Sequence, residues 1–109
     1  MDNSGLLYRF VELVENHYKE RLPISYYANE LRCSESKLNR VCKTILKESP
    51  LKVINKRITD EAKRMLSFSQ QAIKEISFSL GFTSQTYFVA FFQKNTGLSP
   101  NEFRKANGG

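Results

Sequence analysis

Two stretches of this 109-residue chain set polar side chains beside an apolar stripe at helical spacing. In the first, Leu38, Val41, Cys42 and Ile45 are expected to face inward, which leaves Ser36, Lys37, Asn39, Arg40 and Lys43 outside. In the second, Phe88, Phe91 and Phe92 face inward and leave Gln85, Thr86, Val89, Ala90, Gln93 and Lys94 outside. These types suit the edges of DNA bases. Arginine can donate twice to guanine, asparagine or glutamine can pair twice with adenine, and a small apolar group packs on the thymine methyl. Lys43 and Lys94, further along their helices, are spaced for phosphates. Any one such face could be an ordinary solvated surface. The doubling of the pattern is what favours duplex DNA.

Other chemistries find little support. His17 is the only histidine, and no carboxylate or serine stands at a telling distance from it in sequence, so a surface or partly packed ring is expected. Cys33 and Cys42 fall at apolar positions and read as free core thiols, and with His17 they lack any zinc spacing. There is no glycine-rich phosphate loop. Phe88, Phe91 and Phe92 oppose the polar set and read as core, not as a stacking platform for bases. The expectation is a chain that is not an enzyme and has no metal site and no cofactor.

The elements that must position these side chains are helices. Glycine and proline number only 5 and 3, too few for many tight β-turns. Leu7, Phe10, Val11, Val14 and Tyr18 make one stripe on a first helix, opened by Asn3 or Ser4 and closed before Pro23. A short helix at about 25–32 follows, and Ser34 caps a third. Ser49-Pro50 opens a fourth, which carries Leu51, Ile54, Ile58, Ala62, Met65 and Leu66 inward and ends near 67–71. A fifth spans about 73–80 and stops at Gly81. Ser84 opens the sixth, which ends at Gly97, and Ser99-Pro100-Asn101-Glu102 is a capping box for a short seventh. Gly108-Gly109 reads as a frayed end.

A repeat organises these helices. Ser49-Pro50 and Ser99-Pro100 are 50 positions apart, as are Leu38 and Phe88, and Cys42 and Phe92. Upstream the offset is 49: Ile24 with Ile73, Ala28 with Ser77, Leu31 with Leu80, Cys33 with Phe82. One residue has been gained in the second turn. Each copy is a short helix, a tight turn and a longer helix, and Ala28 or Ser77 supplies the small residue that a helix-turn-helix needs where its helices cross. Gly81 suits the turn. Arg32 holds the matching place, so the first turn must tolerate a side chain. The fold class expected is all-α: seven helices, with two helix-turn-helix subdomains at about 24–48 and 73–97. A long linker helix at about 50–68 joins them, and a short helix at about 100–106 follows. A linker of roughly 17–19 residues is about 27 Å long, enough to set two recognition helices roughly one DNA turn, about 34 Å, apart.

Charge agrees with a polyanionic partner. The net charge is +6 at pI 9.5. Residues 32–64 hold 10 basic and 4 acidic side chains, whereas residues 1–31 hold 3 and 5. The start of the chain is too polar for a secretory signal, and no apolar run approaches a membrane span, so a cytosolic protein is expected.

Residues 73–104, IKEISFSLGFTSQTYFVAFFQKNTGLSPNEFR, resemble the signature of the AraC/XylS-type transcription regulators. The match runs through Ile76, Gly81-Phe82, Tyr87-Phe88, Phe92, Gly97, Ser99-Pro100 and Phe103-Arg104. Arg57 to Leu66 is similar to the linker segment of that family, and Ala28, Leu31, Ser34 and Leu38 match its first unit more loosely. The resemblance implies sequence-specific binding of double-stranded DNA and control of transcription, usually activation, with RNA polymerase as a partner. By matched position it implies base reading by Ser36, Asn39 and Arg40 in the first unit and by Gln85, Thr86 and Ala90 in the second. Lys37, Lys43, Lys94 and Asn101, at the start of the seventh helix, would lie near phosphates. The family often has Arg at Ala90, Lys at Gln93, Ala at Ser77, Phe at Cys42 and Gly at Lys47. The second recognition helix is therefore nearly uncharged, and the first unit is expected to dominate affinity. Family members usually carry a sensing or dimerisation domain ahead of this one, so a C-terminal piece of a longer regulator is expected, ahead of the alternative of a stand-alone member. The competing expectation is a helical protein-interaction module that has the same fold and binds no DNA.

Overall fold

A computed structural model describes residues 2–107, so Gly108-Gly109 lie outside it. The described residues form seven helices and no strand: α1 (Asn3–His17), α2 (Ile24–Glu30), α3 (Glu35–Ile45), α4 (Pro50–Phe68), α5 (Ile73–Ser79), α6 (Gln85–Thr96) and α7 (Pro100–Asn107). The chain divides into two compact units between Arg57 and Ile58, within α4.

In the first unit α1 and α2 each pack on α3. Its core is Leu6, Leu7, Phe10, Val14, Tyr18, Tyr27, Ala28, Leu31, Leu38, Val41, Cys42 and Ile54. Phe10 and Tyr27 meet edge to face at 5.7 Å. Asp2, not Asn3 or Ser4, starts α1: its carboxylate accepts from the Gly5 N–H at 2.6 Å. The helix ends at His17 and tightens into a 3₁₀ turn at Tyr18–Glu20. Helix α2 starts and ends a residue or two earlier than its sequence pattern suggests.

Three apolar residues expected inside are not there. Val11 is 49%, Ile45 45% and Leu51 55% exposed. Val11 stands at the margin of the α1 stripe and Ile45 is the last residue of α3, and both line an open groove with Leu7 and Tyr8. Leu51 sits in the first turn of α4, beyond the reach of the core, while Ile54 on the next turn is buried.

In the second unit α6 packs on α5 and α7. The core is built from Ile58, Ala62, Met65, Leu66, Ile73, Ile76, Leu80, Phe82, Phe88 and Phe92. Ring contacts link Phe82 to Phe88 at 5.3 Å, Phe88 to Phe92 at 5.9 Å and Phe92 to Phe103 at 5.6 Å. Arg104 donates from Nε to the Leu66 carbonyl at 3.1 Å and from Nη2 to the Ser69 carbonyl at 3.3 Å. It thereby satisfies carbonyls that the end of α4 leaves without a helical partner.

The two turns repeat bond for bond. The Cys33 N–H donates to the Ala28 carbonyl and the Arg32 N–H to that of Asn29, while Phe82 donates to Ser77 and Gly81 to Phe78. This is the Schellman end of a helix, and it requires a left-handed residue. That residue is Arg32 (φ 54°) in one unit and Gly81 (φ 87°) in the other. After the second helix of each unit the same contrast returns, with Lys47 (φ 62°) against Gly97 (φ 82°). Thr83 is the extra residue of the second turn.

Candidate nucleic-acid interface

Serine hydroxyls fix where the two longer helices begin. Ser34 Oγ accepts from the Lys37 N–H at 3.0 Å and Ser84 Oγ from the Tyr87 N–H at 3.2 Å. Each cap satisfies one of the orphan donors of its helix and sets the rotation of the first turn. The small residues at the crossing are fully packed, Ala28 at 2% and Ser77 at 0% exposure. The hydroxyl of Ser77 donates to the Lys74 carbonyl at 2.7 Å, so its burial leaves no unpaired group.

On α3, Ser36, Asn39, Arg40 and Lys43 are exposed and Lys37 is half-buried. The spacing of 36, 39, 40 and 43 puts them along one side of the helix. Ser36 and Asn39 line an open depression with Glu35, Ile24, Ser49, Pro50 and Leu51. On α6, Gln85, Thr86 and Ala90 are exposed and line a second depression with Val89 and Gln93. Lys94 is exposed on the last turn of α6, and Asn101 on the first turn of α7. Within each unit the structure brings the expected base-edge residues to one surface. Val89 and Gln93 join that surface, and their spacing from Gln85, Thr86 and Ala90 is the signal that finds them.

These side chains are also uncommitted. Among the described residues no hydrogen bond or ion pair engages the side chains of Ser36, Asn39, Arg40, Lys43, Gln85, Thr86, Gln93 or Lys94. Four other cations of the basic middle third are committed. Arg57 makes a two-point bridge to Glu15 at 2.6 and 3.0 Å and lies 4.4 Å from the Tyr18 ring centroid. Lys56 pairs with Glu48 at 3.1 Å, Arg64 with Glu61 at 2.6 Å, and Lys47 donates to the Thr44 carbonyl at 3.0 Å. The hydrogen bond from Arg57 holds the Glu15 carboxyl below its usual range. Arg40, Lys37 and Lys43 are left to project charge from α3, whereas Lys94 alone does so from α6.

His17 does have a partner. Its Nδ1 lies 2.6 Å from Glu20 Oε2, and its Nε2 lies 3.4 Å from the Tyr26 hydroxyl. The contact arises because α1 tightens after His17 and draws Glu20 back. No group of three metal-ligating side chains occurs among the described residues. Cys42 is fully buried, and burial pushes its thiol up to about 11. Cys33 is half-buried. No described helix is long and apolar enough to cross a membrane.

A helix-turn-helix domain family matches residues 27–106. The transcriptional activator RhaS of Escherichia fergusonii is 26% identical over 104 residues, which cover 95% of this chain and 37% of that protein. The chain spans about a third of the length of the relatives it matches. The solved C-terminal domain of AraT, a response regulator from Geobacillus stearothermophilus, superposes with a TM-score of 0.88 at 27% identity, covering 94% of this chain and 86% of that one. The DNA-binding domain of AdpA, a global transcriptional factor solved with a target DNA, superposes at 0.77 with 21% identity, over 95% and 90%. With two serine-capped, Schellman-turned units and a family match across most of its length, the chain belongs to the AraC/XylS-type helix-turn-helix transcription regulators as a DNA-binding domain.

Proposed function

We propose that this domain binds double-stranded DNA sequence-specifically, with α3 and α6 as recognition helices in adjacent major-groove segments. Ser36, Asn39 and Arg40 read base edges from α3, and Gln85, Thr86 and Ala90 read them from α6. Lys37, Lys43, Lys94 and Asn101 contact phosphates. The observation that carries this reading is the set of exposed polar side chains without intramolecular partners on the second helix of each helix-turn-helix. A family built around such helices places them in the major groove. The resemblance to a transcriptional activator supports activation, and RNA polymerase as partner and a sensing or dimerisation domain in the same regulator are part of this proposal.

Fluorescence-anisotropy titrations of a selected duplex across salt concentrations test the reading. Arg40→Ala is expected to weaken binding by about 1–3 kcal/mol on the preferred site, and Gln85→Ala by less. Lys37→Gln or Lys43→Gln is expected to lower the slope of log affinity against log salt by about 1 each. Affinity that is absent at low salt would favour the protein-interaction module instead. A larger loss at Gln85 than at Arg40 would reverse the ranking of the two units.

A further inference from the structure

The chemistry of α6 narrows what its segment of DNA can be. The surface formed by Gln85, Thr86, Val89, Ala90 and Gln93 holds two amides, one hydroxyl with its methyl, and two aliphatic groups. No guanidinium, ammonium or carboxylate lines it. Of the other polar side chains near it, Ser84, Asn95 and Thr96 are used internally, and Tyr87 is exposed without lining the surface. Ser84 caps the helix, the Asn95 amide donates to the Phe91 carbonyl at 2.8 Å, and the Thr96 hydroxyl donates to that of Phe92 at 2.8 Å. Lys94 is exposed but does not line the surface.

Each base edge asks for something different. Guanine offers two acceptors, best met by Arg or Lys, and cytosine offers a donor, best met by Asp or Glu. The lining of α6 has neither. Adenine offers one donor and one acceptor side by side, which a glutamine amide matches with its oxygen and nitrogen. Thymine offers a methyl, which Val89, Ala90 and the Thr86 methyl can cover. The residues stand in two rows by helical spacing, Gln85 with Val89 and Thr86 with Ala90 and Gln93. Each row therefore carries an amide and a neighbouring methyl, the pair that one A·T step presents on its two strands.

We propose that the segment read by α6 is A·T-rich and is recognised through adenine N6/N7 and thymine methyl groups, while the segment read by α3 includes guanine opposite Arg40. This rests on the reading of α3 and α6 as recognition helices.

The test uses the full chain. Selection from a random duplex pool at low ionic strength, by the parent and by Gln85→Ala and Gln93→Ala, identifies the positions that relax in each variant. Both glutamines are exposed and alanine favours helices, so the variants are expected to keep the parent's circular dichroism. Those positions are expected to be A·T pairs. Replacing their adenines with 7-deazaadenine should weaken binding roughly tenfold. Replacing their thymines with deoxyuridine should weaken it several-fold, and the same replacement under the α3 segment should do less. A relaxed segment rich in G·C, no response to either glutamine variant, or equal affinity for thymine and uracil duplexes would overturn the inference and leave groove reading standing. A pool that returns no preferred sequence would overturn groove reading itself, and the inference with it.

Discussion

The two units share one backbone plan and fill it differently. Where the second unit places Gly81 and Gly97 at left-handed positions, the first places Arg32 and Lys47. Where α7 opens with Ser99 and Glu102 bonding to each other's backbone at 3.1 and 2.8 Å, α4 opens with Ser49 and, at the matching place, Lys52. Where the second core stacks Phe82, Phe88 and Phe92, the first has Cys33, Leu38 and Cys42. The second copy follows local conformational preference and aromatic packing. The first accepts strained turns and smaller core groups and gains cations. A left-handed residue with a Cβ costs about 1–2 kcal/mol, so Arg32 and Lys47 stand where glycine would serve the fold better. The difference teaches that duplicated helix-turn-helix units need the same turn geometry but not the same means of stabilising it.

The largest expected effect is in the cores. Phe88→Ala should cost about 3–5 kcal/mol and Leu38→Ala, its counterpart, about 2–5. Urea denaturation of both variants checks this, and a smaller loss at Phe88 would break the contrast between aromatic packing in the second core and smaller groups in the first.

The turns come next. Gly97→Ala should cost about 1–2 kcal/mol. A Cβ there would meet nothing within 4 Å, so the cost comes from φ alone. Lys47→Gly should recover up to about 1 kcal/mol, less whatever its bond to Thr44 contributes and the added freedom of the unfolded chain. Thermal melts of the two variants should move in opposite directions. Movement in the same direction would show that the left-handed lysine is not strained.

The smallest effect concerns acid. Bonds from Ser99 hold the Glu102 carboxyl below its ordinary value. Its contribution is therefore fully present above the ordinary glutamate range and is lost as pH falls through the lowered value of the folded state. Glu102→Gln should reduce stability near neutrality and leave the difference from the parent shrinking toward low pH. A difference that stays constant from pH 7 to pH 3 would refute the assignment. Lys52→Gln should show no such acid-dependent difference.

Most of the helix starts are legible in the chain because capping is local. Ser34, Ser49, Ser84 and Ser99 each bond within three residues, and the signal is written in those residues. The start of α1 is less legible, since Asp2, Asn3 and Ser4 are all good caps and only geometry chooses among them, and α2 and α5 begin after Pro23 and Ala72 with no side-chain cap. The turn at Arg32 is legible only through the repeat, because Gly81 marks the place and arginine by itself does not. On the candidate site, spacing alone separates inward from outward residues on α3 and α6, except for Ile45 at the end of α3. Spacing does not show that Asn95 and Thr96 turn back to carbonyls of their own helix and are thereby removed from the reading surface.

Periodicity, caps and the internal repeat determined that this protein is seven helices in two like units, because each depends on residues a few positions apart or on comparison of the chain with itself. Tertiary structure decided which ends of the apolar stripes find cover, leaving Val11, Ile45 and Leu51 in the open. It also decided which cations are tied to carboxylates and which remain for a polyanion. Those outcomes depend on groups brought close by packing, as Glu15 is to Arg57 across 42 positions of chain, and no local pattern encodes such a meeting.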